Sequence, residues 1–305
     1  MMSIKTWSHL TLVIGLCVPA SATGQAVPVG IDLARSYAVR SDVVYHVASG
    51  RELTLDLYVP QGASGPVPII VYYHGGGWVV GDRHSQSLRL LPYLEQGFAV
   101  ANVTYRLAST ALAPAAVVDA VCALRWVSAN AADLGLDSDR IVVTGTSAGG
   151  HLALMAGMLP WDSPFASECQ TLAEVVAGTF APARAAAIVN WFGVSDVADL
   201  LVEPHRRVYA EQWVGAVPNR QEVARLVSPL EYMRGGLPPL LTIHGDADPV
   251  VPYEHAVQIT QAFRGVGAAA ELITVAGGHG GFSAEQEVDA YARIWTFLEK
   301  LGLLP

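Results

Sequence analysis

The sequence predicts an α/β fold in which helices cover both faces of a mainly parallel central sheet. Strand-like and helix-like segments alternate along most of the chain, as the connections between parallel strands require. Several strand-like segments are short, continuous apolar or β-branched runs, which are typical of strands buried on both faces. The chain has 305 residues, of which 52% are apolar and only 15% charged, enough to build one large core.

The predicted elements alternate in chain order. The first strand, 51–59, alternates apolar and polar residues as a half-exposed edge strand does. Continuous apolar runs predict further strands at 68–73, 98–105, 140–144, 185–192, 240–244 and 271–275. Helical stretches are predicted at 85–96, 114–131, 148–159, 253–265 and 284–301. We interpret 195–236, which interrupts the alternation, as a short cap-like insertion within a single domain spanning 23–305.

Residues 1–22 have the pattern of a secretory signal peptide. Lys5 supplies the positive charge, 10–18 form the apolar stretch, and Ala20-Ser21-Ala22 offers a cleavage site of small residues. That stretch is too short to span a membrane, and no other segment is long and apolar enough. The sequence therefore predicts an exported protein, periplasmic or extracellular, whose mature chain has no membrane span.

Export changes the interpretation of the cysteines. Once the leader is removed, Cys122 and Cys169 are an even pair in an oxidising compartment. They can form a disulfide, or they can be two buried thiols that never meet, and the sequence leaves both open.

The charge balance excludes several classes of function. The chain has 18 basic and 27 acidic residues, a net charge of −9, and no basic cluster, which argues against nucleic acid as a partner. Its only lysines are Lys5 and Lys300, and neither has the context of a phosphate-binding loop or a Schiff base. We expect no metal or organic cofactor, because neither metal-ligand spacing nor a dinucleotide glycine pattern is present.

Two glycine-rich loops follow predicted strands. They therefore lie at the carboxyl ends of the strands, where α/β proteins bind ligands. In His74-Gly75-Gly76-Gly77-Trp78, three successive glycines leave the backbone free to turn its N–H groups toward a ligand. Gly145-Thr146-Ser147-Ala148-Gly149 places a serine at a sharp turn between a strand and a helix. This second loop predicts that Ser147 is a nucleophile, with the positive end of the following helix near a developing oxyanion.

A serine nucleophile needs a general base, which in turn needs an acid to orient it. Among the nine histidines, His279 is the best candidate for the base. It lies in Gly277-Gly278-His279-Gly280-Gly281, after the last predicted strand and before the final helix. We expect His74 to brace its own loop, His151 to pack against the sheet and His244 to be buried.

Two aspartates are candidates for the acid, and both lie in the loop after strand 240–244. Asp246 directly follows the turn glycine, where an aspartate often only caps its own loop. Asp248 precedes Pro249, which favours an extended backbone. Position alone favours Asp248 modestly and leaves Asp246 open.

These motifs together resemble those of the α/β-hydrolase superfamily. The order Ser147, Asp248, His279, with the upstream His-Gly-Gly-Gly-Trp, is similar to that of bacterial esterases of the feruloyl-esterase and hormone-sensitive-lipase-like groups. The resemblance covers 42–305 and includes the stretch 103–107, Val-Thr-Tyr-Arg-Leu. One departure from the lipase-like pattern follows that stretch, where Ala-Ser stands in place of the usual Ala-Pro-Glu.

The resemblance assigns roles to individual residues. It implies that Asp248 is the triad acid and that the backbone N–H groups of Gly76, Gly77 and Ala148 form an oxyanion hole. It implies a serine carboxylesterase that acts through an acyl-enzyme on small acyl or aryl esters, including feruloyl or acetyl esters of plant polysaccharides.

Other functions remain open on the same scaffold. An exopeptidase, an arylformamidase or a lactonase would use the same triad, because substrate choice depends on the pocket and the insertion. A non-catalytic binding protein is disfavoured, since all three triad residues are present. Four aromatic residues near the predicted active-site end could receive an acyl chain or an aromatic acid, or could simply pack beneath the insertion: Trp78, Trp191, Phe192 and Trp213.

Overall fold

The computed structural model describes residues 29–169 and 183–305, and the predicted signal peptide, 1–22, lies outside the described residues. The centre of the described chain is an eight-stranded sheet. Its strands are β1 (Tyr37–Ala48), β2 (Arg51–Pro60), β3 (Val67–Tyr73), β4 (Ala99–Val103), β5 (Leu136–Thr146), β6 (Ala187–Trp191), β7 (Leu240–Gly245) and β8 (Ala270–Val275).

The strands lie in the order β1-β2-β4-β3-β5-β6-β7-β8. β1 pairs antiparallel with β2 and β2 antiparallel with β4, whereas all pairings from β4 to β8 are parallel. Every residue of β3, β4, β6 and β7 is buried, as expected for strands covered on both faces. The predicted mainly parallel sheet is therefore confirmed.

The edge of the sheet differs from the prediction. The segment 51–59 was expected at the edge, but β1 lies outside it and forms the edge strand. Two register shifts in the β1–β2 pairing, between Arg40 and Val43 and between Val44 and His46, break the alternation of apolar and polar residues along β1. Because that alternation is the usual signal of a strand, β1 was missed.

Helices cover both faces of the sheet. They are α1 (Val29–Ser36), α2 (Leu91–Glu95), α3 (Ala115–Asn130), α4 (Ala148–Met158), α5 (Pro164–Ser167), α6 (Val208–Val214), α7 (Arg220–Leu226), α8 (Glu254–Gly265) and α9 (Ala284–Lys300). Buried side chains of α3, α4 and α8 belong to the larger core cluster. Those of α2 and α9 belong to a second cluster on the other side of the sheet.

Two predicted segments are more irregular than expected. The helix predicted at 85–96 is divided into a 3₁₀ turn, Ser87–Leu90, and α2, because Pro92 lies in the first turn of α2, where its missing N–H is tolerated. The segment 195–236 contains α6, α7 and two 3₁₀ turns, Asp199–Leu201 and Pro229–Tyr232. Its buried side chains pack directly against the larger core cluster.

A disulfide bond joins Cys122 in α3 to Cys169 just beyond α5. It connects two segments that are 47 residues apart in the sequence. None of the helices in the described part of the chain combines the length and the apolar character needed to cross a membrane.

Candidate active site

Ser147 occupies a strained turn between β5 and α4. Its backbone has φ 56° and ψ −120°, a conformation that residues with a side chain rarely adopt. A Cβ atom on Gly145 would lie 2.4 Å from the carbonyl oxygen of Tyr73 in β3, and one on Gly149 would lie 2.0 Å from the same oxygen. The two glycines of the motif are therefore needed because the turn passes directly against β3.

Gly149→Ala should destabilise the fold by more than about 3 kcal/mol, because the added methyl group meets backbone that cannot move away. Gly265→Ala is the matched control, since a Cβ there meets nothing within 4 Å. The control should leave stability unchanged or raise it slightly. Urea unfolding of both variants measures the difference, and equal stabilities would contradict this account of the motif.

The structure brings together the three side chains that the sequence selected. His279 Nε2 lies 2.9 Å from Ser147 Oγ, and His279 Nδ1 lies 2.7 Å from Asp248 Oδ2. Both distances are within hydrogen-bonding range. With its proton on Nδ1, the imidazole donates to the carboxylate and offers Nε2 as an acceptor to the serine hydroxyl.

The two aspartates in the loop after β7 make different contacts. Asp248 Oδ1 accepts hydrogen bonds from the backbone N–H groups of Val250 and Val251, and its other oxygen faces His279. Asp246 instead accepts a hydrogen bond from the backbone of Gly277. Of the two candidates, Asp248 is therefore the one in contact with the histidine.

The carboxyl group of Asp248 is strongly held in its ionised form. Burial alone would raise its pKa, but hydrogen bonds from His244 and His279, together with the backbone N–H of Val251, hold the pKa well below its usual range. A permanently charged carboxylate beside His279 stabilises the imidazolium that forms when the histidine takes a proton.

His244 is a further contact of this carboxylate that sequence reasoning did not find. Its Nε2 lies 3.2 Å from Asp248 Oδ2 and 3.1 Å from the carbonyl oxygen of Val251. The ring is fully buried, as expected, and within the described residues its Nδ1 has no hydrogen-bond partner. The signal available in the sequence was its position four residues before Asp248, at the end of the strand.

The predicted oxyanion loop has an unusual backbone. Gly76 has φ +127° and Gly77 φ +60°, and a Cβ on Gly76 would lie 1.9 Å from the carbonyl oxygen of Val80. Within 29–169 and 183–305, no acceptor bonds the backbone N–H of Gly76, Gly77 or Ala148. These three donors are therefore free for a ligand, as an oxyanion hole requires.

Several side chains brace that loop. The His74 ring stacks on Tyr105 with a centroid distance of 4.2 Å, and the Tyr105 hydroxyl donates to the carbonyl oxygen of His74. Arg106 forms a bidentate ion pair with buried Asp119, which fixes the segment after β4. The stretch 103–107 thus packs against the oxyanion loop and holds it in place.

A cavity of about 420 Å³ opens beside Ser147. It is lined by Gly75, Gly76, Gly77, Val79, Val80, Gln86, Arg89, Thr146, Ser147, Phe192, Tyr209, Val250 and His279. Of the four aromatic candidates, Phe192 contributes to this wall and makes an edge contact with the His279 ring at 4.8 Å.

The other three aromatic candidates pack in the protein interior, which is the second of the two alternatives that the sequence left open for them. Trp78 and Trp213 are fully buried and stack on each other at 4.1 Å. Trp191, at the end of β6, is 4% exposed and packs against Tyr291 of α9. Trp213 belongs to α6 of the insertion and Trp191 is covered by α9, and the order of residues alone does not show these contacts.

His151 completes the buried cluster beneath the insertion. Its Nδ1 accepts a hydrogen bond from the Trp78 indole, and its Nε2 donates to the carbonyl oxygen of Val227. Burial lowers its pKa from 6.5 to about 4, against the opposing effect of the Val227 contact. His151 is thus a neutral packing residue. It packs on Trp78, Trp213 and the backbone of Val227, whereas the sequence predicted packing against the sheet.

Acid should destabilise the protein through His151. The unfolded chain takes up a proton on this residue below about pH 6.5, whereas the folded protein does so only near pH 4, so stability falls as pH drops through that window. The full difference in His151 protonation between the unfolded and folded protein lowers the free energy of unfolding by roughly 3 kcal/mol. Urea unfolding at pH 7 and pH 4 measures the loss. Between pH 7 and pH 4, His151→Gln should lose less unfolding free energy than the unmodified protein, by that amount. The same pH dependence in both proteins would contradict the role of His151.

Comparisons with known proteins find a family and several related esterases. The profile of the BD-FAE family matches residues 55–263. Esterase LipC of Mycobacterium tuberculosis is 32% identical over 209 residues, which are 66% of this chain and 49% of LipC. Esterase LipQ of the same organism is 28% identical over 242 residues, covering 77% of this chain and 55% of LipQ. The chain spans about half the length of these relatives.

Solved structures show the same architecture. The butyrate-bound structure of a thermophilic esterase from Thermogutta terrifontis matches with a TM-score of 0.71 at 26% sequence identity. The match covers 88% of this chain and 95% of that chain.

Proposed function

The chain belongs to the BD-FAE family of α/β-hydrolases, and from this membership we propose that it is a serine carboxylesterase. The observation that carries the proposal is the hydrogen-bonded series of Ser147, His279 and Asp248 beside the cavity. The esterases among its relatives and structural neighbours support an ester as the substrate.

In the first step of the proposed reaction, Ser147 Oγ attacks the carbonyl carbon of the ester. His279 Nε2 takes the hydroxyl proton, and Asp248 holds the ring with its other proton on Nδ1. The negative charge that develops on the carbonyl oxygen is received by the free N–H groups of Gly76, Gly77 and Ala148. Each such donor lowers the barrier by about 3 kcal/mol.

The second half of the reaction repeats these roles with water. The proton on His279 passes to the leaving alcohol, and the acyl group stays on Ser147 as an ester. Water then enters beside His279, loses a proton to Nε2 and attacks the acyl carbon. The tetrahedral intermediate collapses, the acid leaves, and the proton returns to Ser147 Oγ.

The lining of the cavity supports an apolar acyl group. Val79, Val80, Phe192 and Val250 form part of the wall beside Ser147. The Thermogutta terrifontis neighbour was solved with butyrate bound, which supports the same class. Feruloyl and acetyl esters of plant polysaccharides are the finer form of the proposal, and they rest on the resemblance of the sequence motifs to feruloyl esterases.

A substrate profile tests the proposal. We expect kcat/KM for 4-nitrophenyl butyrate to exceed that for the dodecanoate at least about tenfold, because added methylenes that find no room cost binding energy. Methyl ferulate and acetylated xylan test the polysaccharide esters. A matched butyranilide and a lactone test the alternative exopeptidase, arylformamidase and lactonase activities, and amide or lactone turnover as fast as ester turnover would contradict a carboxylesterase.

Export is part of the same proposal. The signal-like segment 1–22 and the Cys122–Cys169 disulfide together support an oxidising compartment, periplasmic or extracellular. Expression of the full chain in a bacterial host, followed by fractionation and N-terminal sequencing, tests it. We expect a mature protein that begins at Thr23, and an uncleaved cytoplasmic protein would contradict export.

A further inference from the structure

One end of the cavity carries hydrogen-bond donors and a positive charge. Among the described residues that line the cavity, Arg89 is the one with a permanent charge. Among the described residues its ionic partner is Glu287 in α9, at 3.9 Å, and both side chains are more than a third exposed. A pair at that distance and exposure is weak, so the guanidinium remains available to a ligand.

Gln86 presents a second donor group at the same end. Its Oε1 accepts hydrogen bonds from the Tyr72 hydroxyl, the Gly75 backbone N–H and the Thr146 hydroxyl. The Gly75 N–H can only donate, so the amide must turn its oxygen toward it, and the Tyr72 and Thr146 hydroxyls then donate to the same oxygen. The Nε2 donors are therefore directed away from that contact, and no described residue accepts from them.

The local backbone brings the two residues close together. Gln86 and Arg89 are three residues apart across the 3₁₀ turn Ser87–Leu90, and the Arg89 N–H donates to the Gln86 carbonyl at 3.0 Å. Gln86 is the residue that precedes the turn, and Arg89 lies within it. Both line the cavity beside Ser147.

From these contacts we infer that Gln86 and Arg89 form an anion-binding subsite, and that the protein prefers esters that carry a carboxylate at that end of the cavity. This inference rests on the proposed esterase function. The protein has a net charge of −9 and as a whole repels anions. An anionic substrate therefore needs a local positive charge in the cavity to bind there. A carboxylate would accept from the planar guanidinium and from the Gln86 amide.

The carboxylate can belong to either half of the ester, and two matched pairs of substrates distinguish the sources. The alcohol side is tested with 4-acetoxybenzoate against 4-acetoxybenzamide. The acyl side is tested with the mono-4-nitrophenyl ester of adipic acid against that of adipamic acid. In each pair the two compounds differ by one charge at nearly constant shape.

The readout is the ratio of kcat/KM for the charged ester to that for its neutral partner. Arg89→Gln should lower this ratio about tenfold in one pair, mainly through KM. Arg293→Gln is the matched control, since it removes the same charge from an exposed position paired with Asp289. An unchanged ratio in Arg89→Gln, or an equal fall in both variants, would overturn the subsite.

Gln86→Glu gives a second, nearly isosteric test. One carboxylate oxygen can still accept from Tyr72, Gly75 and Thr146, while the group directed toward the cavity changes from a donor to an anion. The same ratio should fall at least as far as in Arg89→Gln, with the thermal unfolding midpoint used to verify the fold. A ratio equal to that of the unmodified protein would contradict the role of Gln86.

Binding without turnover separates this inference from the proposed function. In a Ser147→Ala background, calorimetry should give a Kd for 4-acetoxybenzoate or for monomethyl adipate about tenfold weaker when Arg89→Gln is added. Such a difference would support the subsite even if the unmodified protein hydrolysed no ester, and in that case only the proposed esterase function would fail. Equal Kd values for both ligands would overturn the subsite, whatever the hydrolysis results are.

Discussion

Ser147→Ala should lower kcat for 4-nitrophenyl butyrate by on the order of 10⁵-fold or more. The hydroxyl is the atom that forms the acyl-enzyme, and its hydrogen bond to His279 Nε2 at 2.9 Å is the contact through which it is activated. The measurement is initial rate against purified protein concentration, with the uncatalysed rate subtracted.

The loss of activity in Ser147→Ala must come from the missing hydroxyl and not from a change in the fold. Alanine keeps the backbone of the turn and removes a single oxygen, so the urea unfolding curve should match that of the unmodified protein. Ser167→Ala is a control, because this exposed serine only donates to the carbonyl oxygen of Pro164 at 2.6 Å. Substantial turnover by Ser147→Ala, or equal losses in the two variants, would remove Ser147 from the proposed role. A fluorophosphonate probe that labels the unmodified protein should fail to label Ser147→Ala.

The positions of these three residues were predictable because of the topology. In parallel strands the carboxyl ends meet at one edge, so loops after β5, β7 and β8 converge even though Ser147 and His279 are 132 residues apart. The glycines around Ser147 and His279 marked which loops come close to other backbone. Periodicity and turn chemistry therefore carried most of the information about the fold, Ser147 and His279, whereas the resemblance to known esterases assigned Asp248.

What the sequence did not show depends on contacts between distant segments. Trp78 and Trp213 come from separate loops, and only their mutual stacking decides that they are buried and not exposed to substrate. Gln86 likewise has no local signal, since its orientation comes from Tyr72 and Thr146 on two different strands. β1 was hidden by its bulges. The burial of the tryptophans, the orientation of Gln86 and the pairing of β1 all depend on tertiary packing, which the local sequence pattern does not show.

The choice between the two aspartates illustrates the same limit. Position in the loop separated Asp246 from Asp248 only modestly, because both follow β7 at the same edge of the sheet. The contacts differ completely, since Asp248 faces His279 at 2.7 Å and Asp246 bonds the backbone of Gly277. The same change at each position therefore gives a matched pair of variants.

Asp248→Asn should lower kcat by on the order of 10⁴-fold. The asparagine oxygen will stay with the N–H groups of Val250 and Val251, because those donors need an acceptor, so its NH₂ must face His279. His279 Nδ1 then accepts, the ring proton moves to Nε2, and Nε2 can no longer take the proton of Ser147. Asp246→Asn should keep most of the activity, since its remaining oxygen still accepts from Gly277. Both rates are measured with 4-nitrophenyl butyrate at pH 7, and equal losses at the two positions would mean that the loop, and not the tautomer of His279, determines the rate.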